Sequence, residues 1–211
     1  MNTPSHFLVN AGLAKAFGHR IGIVKSAFLL GSVAPDIPLY LLSIAGIIYY
    51  HYIKGWSLGR TFERLYDQLF FNDPLWIVSH NFLHAPLILI TGIVICWQVS
   101  RQSVRRNAEP GTPENVQTQT QANHWANWGF WFFWGCLIHT ALDIVTHADD
   151  GPLIFFPLNW SIRFQSPVSY WDDRYYGREF ARFEAILDLG LTIYLVSPWL
   201  WRRWRRWQRS Q

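Results

Sequence analysis

The chain has 211 residues, of which 50% are hydrophobic, 18% aromatic and 15% charged, with 13 tryptophans and a formal net charge of +4. So low a charged fraction, well under the usual quarter, argues against an ordinary soluble domain and points to a membrane protein. Cys96 and Cys136 both lie in apolar stretches, which excludes a disulfide framework and a thiolate metal cage.

Mean hydropathy is only +0.04, so the apolar residues must be concentrated in segments with polar stretches between them. That is the pattern of an all-α, polytopic helical membrane protein. No change of composition divides the chain, and residues 1–211 read as a single helical membrane domain.

The first residues lack a basic stretch ahead of an apolar run, so they do not read as a cleaved signal peptide. Thr3 as N-cap and Pro4 as first helical residue predict an amphipathic helix through Phe17, with His6 in its first turn. The positive end of the helix dipole disfavours imidazolium there and leaves a neutral ring able to bind metal.

Residues 21–50 are apolar but too long for one simple span, and Pro35-Asp36-Ile37-Pro38 interrupts them. One span, two half-helices and a re-entrant hairpin all fit. Irregular backbone at membrane depth lines a cavity or is buried in protein, which turns Asp36 toward the bundle interior. The plainer alternative makes Asp36 a helix cap between two short helices.

Residues 75–98 have the length of a spanning helix, with His80 and His84 one turn apart on one face and Pro86 just beyond. Residues 101–124 are rich in Pro, Gly, Gln, Thr and Asn and predict a flexible polar loop, with His124 as a plain loop histidine. Residues 127–145 form the next span, Trp-rich at its start. Its last turns carry His139, Asp143 and His147. Positions four and eight apart advance about 40° and 80° around a helix and rise about 6 and 12 Å, so His139 and Asp143 can share an ion. His147 is left to a second ion, a frayed end or an outer supporting shell.

Residues 148–183 predict an aromatic-rich loop, with Trp160, Tyr170, Trp171 and Arg163 among its members. It can cap a site and bring arginines to an anionic substrate, or simply pack at the interface. A last span over residues 185–200 ends in Trp201-Arg202-Arg203-Trp204-Arg205-Arg206-Trp207. After an apolar span this composition marks the cytoplasmic boundary of a plasma or inner membrane rather than a nucleic-acid site. The expectation is about four spanning helices plus the N-terminal amphipathic helix, with the lipid bilayer as partner and the C-terminus cytoplasmic.

A lone histidine in an apolar helix is usually a hydrogen-bonded core group. Here two helices each offer groups four residues apart and a third region offers Asp36. The constellation predicts a metal site drawn from His6, Asp36, His80, His84, His139, Asp143 and His147. Imidazole and carboxylate without thiolate suit a divalent metal, zinc first, with manganese or iron as alternatives.

The order Ser5-His6, Gly31-Ser32-Val33-Ala34-Pro35-Asp36-Ile37, His84, His139-Thr140-Ala141-Leu142-Asp143 and Gly151-Pro152-Leu153 with Phe156-Pro157 resembles the predicted membrane-bound metal-dependent hydrolases of the LexA-regulated type. The resemblance covers most of the chain. It implies a small helical membrane hydrolase with His6, Asp36, His84, His139 and Asp143 as ligands, and His80 and His147 as further candidates. Two departures stand out: Pro38 follows Pro35-Asp36-Ile37 where relatives tend to have a second aspartate, and Ser79-His80-Asn81-Phe82-Leu83-His84-Ala85 stands where they favour His-Arg-Gly-x-Thr-His-Ser, so that one arginine is missing.

The function expected is a metal-activated water acting on an ester or phosphoester, such as one in a lipid. No Gly-x-Ser-x-Gly or His-Glu-x-x-His occurs, against serine hydrolases and zincins. A metal transporter, or a non-enzymatic integral membrane protein with a polar His/Asp network, would use the same residues. A di-iron oxidase would want more histidines and an adjacent pair.

Overall fold

A computed structural model describes residues 1–106 and 113–208. Among them the regular structure is helical, apart from one isolated antiparallel bridge between Leu153 and Arg163.

Helix α1, Thr3–Ile21, carries Pro4 in its first turn and ends at Gly22, whose φ of 68° and N–H bond to Gly18 O close the helix in the left-handed manner. Asn2, rather than Thr3, occupies the N-cap position. The Thr3 hydroxyl is used elsewhere: it donates to Asp36 and pairs with Tyr40 Oη at 2.8 Å. Helix α2, Lys25–Gly31, gives way to a turn at residues 32–36, and α3, Ile37–Ile47, continues as a π-helix over Ile48–Ile53. The break falls where Pro35 and Pro38 require it.

Helix α4, Leu58–Phe62, is capped by Ser57 Oγ and runs through a π-helix, Glu63–Leu69, into α5, Phe70–Asn72. Asp73 caps α6, Pro74–Asn81, by accepting from Leu75 N at 2.9 Å and Trp76 N at 3.3 Å. Helix α7, Pro86–Arg106, follows after a break, bent 45° from α6. The single helix expected across residues 75–98 is therefore two. Pro86 lacks an N–H and keeps Ala85 out of helical geometry.

Helix α8, Pro113–Thr146, precedes a long loop and a 3₁₀ turn, Asp173–Tyr175, and α9, Gly177–Gln208, closes the chain. Helices thus reach from both sides into the stretch expected as a flexible loop over 101–124, because glutamine, arginine and glutamate extend helices that the spans have already nucleated. The remainder of that expected loop, residues 107–112, lies outside the described residues. The aromatic loop is also shorter than expected, since α9 begins at Gly177.

By length and composition, Asn123–Thr146 and Gly177–Gln208 can cross a membrane, and the bent pair α6 and α7 makes a third span if counted as one. The apolar helix Ile37–Ile53 is shorter than a crossing, which accounts for the difference from the four spans expected. Ile186, Leu189 and Ile193, on one face of α9, are 72%, 62% and 58% exposed, as lipid-facing residues should be.

Helix α8 is the centre of the packing, with α7 on one flank and α2 on another, while α1 lies along α9. A Cβ on Gly31 would meet the Phe132 carbonyl, and one on Gly135 would meet the Phe28 carbonyl, so α2 and α8 touch backbone to backbone. Asn10 reinforces the crossing from α1 by donating to Phe28 O at 3.3 Å and Gly135 O at 3.2 Å.

Candidate metal centre

The breaks bring the chemistry together. The turn after α2 supplies Asp36, the break between α6 and α7 supplies His84, and adjacent turns of α8 supply His139 and Asp143. One ligand-capable atom from each lies within 4.8 Å of all the others. His84 and His139 are fully buried and Asp143 is nearly so.

Both imidazoles are fixed from behind. His84 Nδ1 donates to His80 O at 2.7 Å and His139 Nδ1 donates to Ser32 O at 2.8 Å, so in the neutral rings each Nε2 carries a bare lone pair. Yet those two Nε2 atoms stand 3.1 Å apart. Around them, Asp36 Oδ1 is 3.4 Å from each, and Asp143 Oδ2 is 3.5 Å from His84 and 3.0 Å from His139. A four-coordinate ion with bonds of about 2.0–2.1 Å spaces its ligand atoms about 3.3 Å apart. The observed edges bracket that value. The alternative, imidazolium in ion pairs with the carboxylates, would need at least one ring to gain a proton directed at its neighbour's nitrogen.

The other oxygen of Asp143 faces a different set. His6 Nε2 lies 2.9 Å from Oδ1 and His147 Nε2 lies 3.5 Å from it. Met1 O is 3.1 Å from His6 Nε2, and the Met1 amino nitrogen is 3.2 Å from Oδ1. The His6 ring also stacks on that of His139, with centroids 3.8 Å apart. Behind His147, Asp150 Oδ1 lies 3.0 Å from Nδ1, an ion-pair distance off the line of a hydrogen bond, while Asp150 Oδ2 accepts from Trp171 Nε1 at 2.8 Å.

Outside the spans these contacts move protonation. Burial would raise the Asp36 carboxyl, but His139 and His84 outweigh it and hold the group well below the usual carboxylate range. Burial lowers the His6 imidazole in spite of Asp143. Burial works against the His147 cation too, but Asp143 and Asp150 outweigh it and the pKa rises. The Asp150 carboxyl is correspondingly lowered, His147 overcoming the effect of burial.

His80 is placed differently. Its ring stacks on His84 at 4.3 Å and tilts against Phe70 at 4.9 Å, with both nitrogens buried and lacking a hydrogen-bond partner. It sits behind His84, and its carbonyl orients that ring. Asp36 is the N-cap residue of α3 but makes no side-chain capping bond, so its carboxylate is committed to the cluster. His124 is exposed on α8.

Thr3, Asp150 and Asn81 escape a sequence reading. Asn81 Oδ1 accepts from Leu153 N at 2.7 Å while its Nδ2 donates to Ile77 O at 2.8 Å, fastening the aromatic loop to α6. Tyr170 N and Ser166 N donate to Thr146 O and His147 O, so the same loop is tied down beside the cluster. Only Asp150 had a signal, its three-residue spacing from His147.

Compared with known proteins, the chain matches a family model over residues 1–208, the one described as YdjM inner membrane protein. No curated protein and no solved structure matches.

Proposed function

The chain belongs to the YdjM inner membrane protein family, and from that premise we propose that it is a membrane-embedded, metal-dependent hydrolase acting on an ester or phosphoester of a lipid. The observation that carries the reading is the set of five ligand-atom separations between 3.0 and 3.5 Å around His84, His139, Asp36 and Asp143. Two imidazoles and two carboxylates without thiolate suit zinc first, with manganese and iron as alternatives.

When bound, a divalent ion supplies Lewis acidity: it polarises an ester oxygen and makes water acidic enough to attack near neutral pH. The protein's own residues hold and orient. His84 and His139 present fixed Nε2 atoms, Asp36 and Asp143 neutralise charge, and Thr3 steadies the Asp36 carboxylate. The loop pinned by Asn81 and Tyr170 limits bulk water beside the cluster and offers aromatic surface to an acyl chain or headgroup. The arginine-rich end of α9 favours a cytoplasmic C-terminus, which a C-terminal reporter fusion would test.

The test is elemental analysis of detergent-purified protein, followed by release assays on phospholipids in mixed micelles with metal-stripped and reloaded samples. Activity that disappears on stripping and returns with zinc or manganese supports the reading. Metal bound without hydrolysis of any phospholipid, together with ion uptake by reconstituted vesicles, replaces it with transport.

A further inference from the structure

Asp143 divides its two carboxylate oxygens between two groups of histidines. Oδ2 faces His84 and His139 at 3.5 and 3.0 Å, whereas Oδ1 faces His6 and His147 at 2.9 and 3.5 Å. No single ion can use both oxygens and also reach all four rings at bonding distance, since a four-coordinate site is filled by the first group with Asp36.

We infer that a second divalent cation is held by Asp143 Oδ1, His6 and His147, making Asp143 a bridge between two ions. The inference rests on the metal-dependent reading above and extends it. Three features besides the distances support it. The His147 ring has a carboxylate at its back, Asp150 Oδ1 standing 3.0 Å from Nδ1 as a charge partner rather than a hydrogen-bond acceptor. His6 is fully buried and stacks at 3.8 Å on His139, which sets its Nε2 alongside the first group. Met1 stands at the same place, its amino nitrogen 3.2 Å from Oδ1 and its carbonyl oxygen 3.1 Å from His6 Nε2, so further donors are at hand to complete the shell.

The arrangement also bears on the substrate. Two ions about 3.5–4 Å apart clamp the attacking and leaving oxygens of an in-line displacement, the demand of phosphoester rather than carboxylic ester hydrolysis. A phosphoester headgroup is thus the substrate class that this pair of sites would take, without needing the arginine whose place His80 holds in this chain.

The experiment uses the full chain in detergent, stripped with chelator and titrated with manganese(II). Ions per chain are counted by elemental mass spectrometry and magnetic coupling is read by electron paramagnetic resonance. The expected result is about two ions per chain with an exchange-coupled spectrum, since a carboxylate bridge holds them within about 4 Å. His147→Gln and His6→Gln should each leave about one ion and an isolated-ion spectrum. Asp150→Asn, which keeps every ligand, should weaken the second ion about 10–100-fold and leave the first unchanged. A wild type that saturates at one ion, with a spectrum that His147→Gln does not alter, overturns the second site while the single-ion reading stands. A wild type that binds none overturns both.

Discussion

The Nε2 atoms of His84 and His139 face each other at 3.1 Å while both Nδ1–H groups are spent on backbone carbonyls. Two acceptors in such contact repel unless a cation or a proton stands between them. Two carboxylates arriving from a helix break and from α8 supply the negative charge that the proposed divalent cation would need.

His84→Ala and His139→Ala should therefore remove the ion of the first group. Each is expected to abolish tightly bound metal and to lower hydrolysis of a phospholipid by at least about 100-fold, the upper range for loss of even an outer-shell partner. Circular dichroism at matched helicity separates this from unfolding. Retention of stoichiometric metal in both variants would falsify the ligand assignment.

Gly31→Ala should be more damaging than its size suggests. Its methyl group would land on the Phe132 carbonyl, and the Ser32 carbonyl that orients His139 lies one residue further on. A cost of about 1–3 kcal/mol from overpacking is expected, together with weaker metal binding. Gly190→Ala is the control, since a Cβ there meets nothing within 4 Å. Equal thermal midpoints for the two variants would refute the close crossing.

Glu184 accepts from Asn2 N and Asn2 Nδ2, both at 2.7 Å, and so fastens the start of α1 to α9. Replacing it by alanine removes both hydrogen bonds to a carboxylate that is itself buried, at a cost of about 1–3 kcal/mol. Because α1 carries Thr3 and His6, metal affinity should fall with stability in Glu184→Ala. Unfolding curves with and without added zinc would show it, and an unchanged zinc-dependent shift would count against the coupling.

Metal uptake should release protons near neutral pH. In the ion-free protein the His147 pKa is raised, so its cation stabilises the fold below the unfolded value of about 6.5 and that contribution fades as pH rises through the folded value. Ligation needs the neutral ring, so binding must displace the proton and affinity should rise with pH. His6, lowered by burial, contributes little to this release. Titration calorimetry in buffers of different ionisation enthalpy measures the count, which Asp150→Asn should reduce. Enthalpies independent of buffer would contradict the prediction.

The helical membrane architecture is legible from composition and segment length alone, and so is the break at Asp36, because two prolines leave the backbone little choice. The bend before Pro86 is less so. One proline near the middle of an apolar stretch fits a kinked helix as well as a broken one, and only the packing of α6 under the aromatic loop decides it. Four-residue spacing finds His139 with Asp143 because both ride on one regular helix. It cannot find Thr3, whose partners Asp36 and Tyr40 lie far along the chain, and for Asp150 only the three-residue spacing from His147 hints at a contact. His80 and His84 do share a face, their rings stacked at 4.3 Å, but the spacing alone cannot tell that His84 is the one that joins the cluster.

Helices α3 and α7 both begin just after the residue that reaches the cluster, Asp36 in one case and His84 in the other, and then run away from it. Adding or removing a turn at their far ends would change the thickness of bilayer the protein suits without moving either side chain. A lineage could thus retune its spans to a new lipid composition while its chemistry stayed fixed, and variation in helix length among relatives should gather at the ends remote from these two breaks.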